Sequence, residues 1–410
     1  MAHAPPERPG TMQRPVGWTV IALIGLRVLV VIVIAARAGA LGSVDADVGR
    51  AFRIATSPAV PYRGFPVEFM PLQTLFDRLF AGGTLATAVI WIAVVALAAD
   101  VAAAAALWWG WGRRQATTYL LLGAPLLGFI YLRFDLVAVA LVAWSLATLR
   151  RRREEPSGVL LGLAVMAKLW PIVLAIPFAM RRARRAMVLA AAVCLLLGAW
   201  WYLTGGAKGP FQVLSFRGAR GWHVESVIGS LLWVAHHGIP YREADAVRIG
   251  AAATWAKALL FSGLVVVQAL LWRRASRDRR DAFGAASLAS VAALSVFAPV
   301  FSLQAAAWLL PFAALALEGE HDERHTGGVA TVAIVLTGLI ALVWRDHATT
   351  PQGWVGWLVL ARNLVWIDVV ISWLRVPVID ATPEPDVVFR RRAADRAAEG
   401  IETVLPFDAE

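Results

Sequence analysis

Leu41–Leu72 reads LGSVDADVGRAFRIATSPAVPYRGFPVEFMPL, and the layout of the chain follows from it. Two acids, Asp45 and Asp47, open the stretch, and Tyr62, Arg63 and Glu68 follow. Four prolines between Pro58 and Pro71 rule out a continuous helix, because each lacks a backbone donor and restricts the residue before it. An apolar run from Val16 to about Ala38 precedes the stretch, and a second from about Thr84 to Trp109 follows it. A polar, aromatic loop between two membrane-length runs is where binding and catalytic groups collect.

Composition agrees. Of 410 residues 59% are hydrophobic and 16% charged, with a mean hydropathy of +0.65, which is the character of a polytopic membrane protein. The 19 tryptophans suit two water–lipid interfaces. The net charge of +11 does not indicate nucleic-acid binding, because its arginines sit in short clusters between apolar runs. A single cysteine, Cys194, excludes an intrachain disulfide. The first run is too long for a signal-peptide core of roughly 7–15 residues, so it reads as an uncleaved helix.

About twelve apolar segments follow one another, which predicts an all-α polytopic integral membrane protein with about 10–12 transmembrane or half-membrane helices. Clusters at Arg113-Arg114, Arg150–Arg153, Arg181–Arg185, Arg273–Arg280 and Arg390–Arg392 predict one cytoplasmic face. Two pairs of segments, Thr117–Ile130 with Phe134–Leu149 and Gly158–Ala167 with Leu169–Met180, are then too short to cross singly and return to the side they left. The second is interrupted by Lys168-Leu169-Trp170-Pro171, and a charge beside a proline fits a backbone facing a cavity. The resulting division is a cytoplasmic segment at 1–15, a transmembrane unit at 16–375 and a mobile cytoplasmic tail at 376–410. The unit has extracytoplasmic loops at 39–83 and 205–250.

On that topology the mixed polar groups gather on one side. They are the first-loop residues; Tyr131, Arg133 and Asp135; Lys168; Lys208, Arg217, Arg220, His223 and Glu225 of SFRGARGWHVES; Ser302 and Gln304; and Arg345, Asp346 and His347. Asp47 has two readings, a helix cap for a helix starting near Val48 or a general base for an attacking hydroxyl. Lys168, Arg217 and Arg220 suit a phosphate, and His223 and Glu225 suit sugar hydroxyls or an ordinary loop. Arg27 and Asp100, in the first two spans, are expected to neutralise each other. The histidines and acids have no metal-ligand spacing.

Asp47 followed by PYRGFPVEFMPL resembles the D … PY-D-F-x-x-E-Y-P-P-L pattern of actinobacterial polyprenyl-phosphate-mannose-dependent mannosyltransferases, integral-membrane GT-C enzymes that include glycosyltransferase family 87. Further stretches fit in order: Gly162-Leu163-Ala164 with Lys168 and Pro171, Gly221–Ser226, Val300–Gln304 and Trp308–Pro311. Gly64 replaces the pattern's acid, Phe69-Met70 its aromatic-Pro, and Leu303 a proline common between Ser302 and Gln304.

The resemblance implies a GT-C fold at the plasma membrane and a polyprenyl-phosphate-mannose donor. It also implies a glycolipid or lipoglycan acceptor, inverting transfer with an extracytoplasmic site, and no cofactor. Asp47, with Asp45 second, takes the base position. Lys168, Arg217, Arg220 and Arg133 are expected at the phosphate, and Tyr62, Glu68, His223, Glu225 and Gln304 at sugar or acceptor. The competing readings are another sugar, such as arabinofuranose, on the same fold, and a lipid-linked sugar flippase, which would spread its polar groups through both membrane halves.

Overall fold

The computed structural model describes residues 17–44, 46–278, 280–347 and 354–379. Asp45, the 1–15 segment and all but the first residues of the 376–410 tail lie outside them, as do the side chains of Arg345, Asp346 and His347.

The chain is helical almost throughout. Helix α1 (Trp18–Ala36) leads into α2 (Ala38–Val44), α3 (Ala46–Thr56) and α4 (Pro71–Phe80), so much of the expected first loop is short helix. The proline-rich stretch between α3 and α4 stays irregular, and α4 starts where Pro71 fits the first helical position. Next come α5 (Leu85–Gly110), α6 (Arg113–Gly123), α7 (Leu127–Ile130), α8 (Asp135–Arg150), α9 (Glu154–Ala167), α10 (Ala175–Met180) and α11 (Arg184–Gly205). After α12 (Lys208–Leu214), β1 (Trp222–His223), α13 (Val227–Val234), β2 (Tyr241–Glu243) and β3 (Ala246–Ile249), the chain ends in α14 (Thr254–Ala275), α15 (Ala285–Phe297), α16 (Ala305–Leu317), α17 (His321–His347) and α18 (Trp354–Arg375). Among the described residues six helices are long and apolar enough to cross a membrane: α1, α5, α11, α14, the His321–Val343 part of α17, and α18.

Between these spans stand short helix pairs. With 16 residues α8 rises about 24 Å, and with 13 each α15 and α16 rise about 20 Å, against about 39 Å for the 26 residues of α5. Each pair turns where the sequence stops a helix. The first kinks through a 3₁₀ turn at Ala124–Leu126 containing Pro125 and reverses over Tyr131–Phe134. The second breaks at Lys168, which is extended (φ −147°, ψ 139°), and resumes as a 3₁₀ turn at Trp170–Leu174 containing Pro171. The third ends at Ala298, extended ahead of Pro299. The predicted half-helix at Leu169–Met180 is therefore half 3₁₀ and half α. Helix α9 lies close against α11 through Gly158 and Gly162, where a Cβ would stand 2.1 Å from the Ala186 carbonyl oxygen and 2.8 Å from that of Ala190.

Arginines of the clusters that begin at Arg150, Arg181 and Arg273 meet at one end of the molecule. Arg150 and Arg181 both pair with Asp281, at 2.9 and 2.7 Å. Arg151 donates to the Trp109 carbonyl and Arg274 to that of Leu374. The tips of the three short pairs point to the other end, beneath α3 and α4. The long segment after α11, expected to be a loop, is more built than that. It holds a three-stranded antiparallel sheet of order β1-β3-β2. Ala244 and Asp245, both left-handed (φ 54° and 56°), make the two-residue turn of the β2–β3 hairpin, the twist that hairpin turns favour. Periodicity missed the sheet because two- to four-residue strands carry too little pattern.

Candidate active site at the tips of the short helix pairs

Three tips and two short helices line a narrow cavity that is partly open to its surroundings. Helix α3 contributes Asp47 and Ala51, the irregular stretch Phe69, and α4 Gln73 and Asp77. The first tip gives Leu132–Asp135, the second Lys168 and the third Gln304.

Arg133 ties the walls together. Its Nη2 meets Asp47 Oδ2 at 2.7 Å and its Nη1 donates to Gln304 Oε1 at 2.6 Å, joining the first-loop helix to two tips. Lys168, left at the helix break, lies 3.3 Å from Asp135 Oδ1 and 5.4 Å from the centre of the Phe69 ring. Asp135 also accepts from Trp308 Nε1 at 2.9 Å, and Trp308 stacks on Trp170 with ring centres 5.7 Å apart. The break is thus braced by the aromatic that follows it. Asp77 is fully buried, and neither carboxyl oxygen has a hydrogen-bond partner among the described residues. Burial pushes its pKa up to about 8, against the opposing pull of Lys168 and Arg50, so the acid is neutral at pH 7.

The other expected site residues sit around this cavity. Glu68 pairs with Arg50 and, at 3.1 Å, with Arg217. Arg50 and Arg217 also reach Asp245 at 2.6 and 3.2 Å. This network fastens the β2–β3 hairpin to α3 and to the first-loop stretch. Burial raises the Glu68 carboxyl while Arg50 and Arg217 pull it down. Arg217, expected at a phosphate, is thus occupied by carboxylates, and Arg220 is exposed on the neighbouring turn.

His223 and Glu225 are buried behind the third tip. Burial, with Arg248 and Arg362 adding like charge, drops His223 to about 3, while its ring bonds the Phe301 backbone. Burial lifts Glu225 to about 7 against the pull of Arg362 and Arg133, and its carboxyl bonds the Leu303 backbone. Both residues hold Phe301–Gln304 from outside. Tyr62, left-handed at φ 69°, spends its hydroxyl on the Phe69 carbonyl and Thr74 Oγ1, both at 2.8 Å.

Asp47, Arg133, Lys168 and Gln304 therefore meet in one cavity. Tyr62, Glu68, Arg217, Arg220, His223 and Glu225 are placed outside its lining. Gln73, Asp77 and Phe69 were not singled out from the sequence. The signal for the first two is their i, i+4 spacing on the amphipathic α4.

The sequence model of glycosyltransferase family 87 matches residues 66–302, more than half of the chain. The chain belongs to glycosyltransferase family 87. No curated protein matches it. The family match takes in Asp77, Arg133, Asp135 and Lys168 and stops short of Asp47 and Gln304, which line the same cavity and are joined to it by Arg133.

Proposed function

We propose that this family 87 glycosyltransferase moves mannose from a polyprenyl-phosphate donor to a hydroxyl of a cell-envelope glycolipid or lipoglycan, with inversion, on the extracytoplasmic side of the plasma membrane. The observation that carries the reading is the meeting of Asp47 with Arg133 and Lys168 in one cavity at the end away from the arginine clusters.

The chemistry follows from those groups. The acceptor oxygen attacks the anomeric carbon, its proton passes to the Asp47 carboxylate, and the bond from that carbon to the phosphate oxygen breaks. The lipid phosphate departs with the electron pair, and Lys168 and Arg133 receive its charge. An arriving phosphate competes with Asp47 for Arg133, so donor binding frees the carboxylate that must take the proton. The chain needs no cofactor for this, because the donor already carries a good leaving group.

Purified protein given labelled polyprenyl-phosphate mannose and a panel of envelope glycolipids should transfer label to at least one of them. Failure with mannose but success with an arabinofuranosyl donor would move the reading to that sugar, and movement of intact donor across vesicles without transfer would make it a flippase. Sidedness is tested with cysteines in a Cys194→Ser background. Arg242→Cys should react with an impermeant reagent added outside cells, and Ser276→Cys, at the arginine end, should not. The reverse labelling puts the site in the cytoplasm.

A further inference from the structure

Helix α4 turns Gln73 and Asp77 toward the cavity from one face, four residues apart. Asp77 is 0% exposed and Gln73 7%. Both Asp77 oxygens and Gln73 Oε1 have no hydrogen-bond partner among the described residues. Buried polar atoms in folded proteins are nearly always partnered, and an orphan calls for an explanation. Three on one face of a ten-residue helix, all toward one cavity, mark a place where the missing partners arrive with a ligand.

The surroundings say what the ligand offers there. A cation is opposed by Lys168 and Arg133 on the facing walls. A phosphate offers acceptor oxygens, which would meet acceptors on Gln73 and Asp77. Hydroxyl groups both donate and accept, and two neighbouring ones on a sugar ring match a pair of short polar side chains one helical turn apart. We infer that Gln73 and Asp77 form a hydroxyl-binding subsite that holds the sugar ring of the donor while Lys168 and Arg133 face its phosphate. The inference rests on the donor class proposed above.

The protonation of Asp77 suits this task. Burial raises its carboxyl to about 8, so at neutral pH it offers one O–H donor and one carbonyl acceptor. Lys168 pulls that value down, and a phosphate taken up by Lys168 weakens the pull. Donor binding thereby keeps the acid in the form that grips a hydroxyl.

The test compares two probes on the full-length protein in lipid discs: polyprenyl phosphate without sugar, and polyprenyl-phosphate mannose. Wild type should bind the mannosyl lipid more tightly. Asp77→Leu should lose about 10- to 100-fold of affinity for the mannosyl lipid, the worth of one or two hydrogen bonds left unmade, with the bare lipid phosphate essentially unaffected. It should melt no lower than wild type, since it removes an orphaned polar group. Asp77→Asn keeps a donor and an acceptor and should bind nearly as wild type does. Gln73→Leu should lower the same ratio and keeps the test standing if leucine at 77 fails to fold.

The subsite is overturned if wild type gains nothing from the sugar, if the leucine variants bind the mannosyl lipid as wild type does, or if they lose both lipids equally. Wild type that binds neither lipid overturns the donor reading and the subsite with it.

Discussion

Two of the lysine- or arginine-to-aspartate pairs among the described residues, one inside the helix bundle and one on the cavity wall, are built differently. In the first, Arg27 Nε meets Asp100 Oδ2 at 2.8 Å, Arg27 donates to the Leu23 and Leu120 carbonyls, and Asp100 accepts from the Tyr119 and Tyr131 hydroxyls, each at 2.6 Å. Both residues are at most 1% exposed, and Gly123 leaves no room beside the guanidinium. In the second, Lys168 and Asp135 stand 3.3 Å apart on the wall of a cavity, with the unpartnered Asp77 near them. A charge whose every neighbour is supplied by the fold can only hold the fold together. A charge that faces space and orphaned atoms is available to something that arrives. The comparison separates structural from functional polarity in a chain that is 59% hydrophobic.

The strongest way to break this division is Asp47→Asn. A general base contributes about 10²–10⁴-fold, and an amide cannot take the proton. Transfer should fall by that factor while expression and melting stay close to wild type, because the amide keeps the shape beside Arg133, and donor affinity should not fall, because the phosphate no longer competes with a carboxylate for Arg133. Asp45→Asn should cost less. Near wild-type transfer by Asp47→Asn with loss in Asp45→Asn would shift the base by two residues.

Asp100→Asn should show the opposite profile. Removing one member of a buried pair costs about 3–5 kcal/mol, since the other charge stays buried. Melting in detergent should drop sharply, and the double variant Arg27→Met with Asp100→Leu should recover much of it. An unchanged melt would mean that saturation by neighbours is no sign of a structural role.

How much of this was legible in the sequence differs between the two pairs. Arg27 and Asp100 lie in adjacent spans of unmistakable hydropathy, so their meeting follows from the topology. The break at Lys168 was legible because Pro171 lacks a backbone donor and restricts the residue before it, and a charge stands beside it in an apolar run. Asp77 and Gln73 were not, because LQTLFDRLF reads only as amphipathic, and periodicity does not say whether its polar face meets solvent, a headgroup or a cavity. Arg217 was read as a phosphate ligand, yet its carboxylates come from Glu68 and from the hairpin turn at Asp245, and no local pattern announces contacts so distant in sequence.

The pH dependence sharpens the cavity side. Asp77 has an ordinary pKa of 3.8 and a folded value of about 8. Below the first value both states hold the proton. Between the two values the folded state keeps a proton that the unfolded chain has lost, so stability falls as pH rises, by up to about 1.4 kcal/mol per unit, and levels off above 8. Asp77→Asn should flatten that slope in melts taken across pH 4–8. His223 works in the other direction. Its folded value of about 3 lies below the ordinary 6.5, so stability is lost as pH falls through that interval. A wild-type melt whose pH profile Asp77→Asn leaves unchanged would remove Asp77 from the buried set.

Lys168→Ala should weaken lipid-phosphate binding by about 1.5–3 kcal/mol, the worth of a charge-assisted hydrogen bond. Arginine need not rescue it, because a planar fork does not fit a place shaped for an ammonium. Unchanged donor affinity would make Lys168 a partner of Asp135 and nothing more.

The smallest effect belongs to Asp245, and it tests where the division between the two kinds of charge ends. Its side chain is 41% exposed, yet it touches Arg50, Arg53 and Arg217 and so joins the hairpin to the helix that bears Asp47. Exposed ion pairs contribute about 0–1 kcal/mol and are screened by salt. Arg50 also keeps Glu68 when Asp245 is neutralised. Asp245→Asn should therefore shift the melt by less than about 1 kcal/mol, and the difference should shrink in high salt, where wild type loses the same attraction. A loss as large as that of Asp100→Asn would place this partly exposed network among the structural charges and remove exposure as a criterion. Unchanged stability with transfer down tenfold or more would show that the hairpin sets the pose of α3, and Asp245 would join the positioning residues of Asp47.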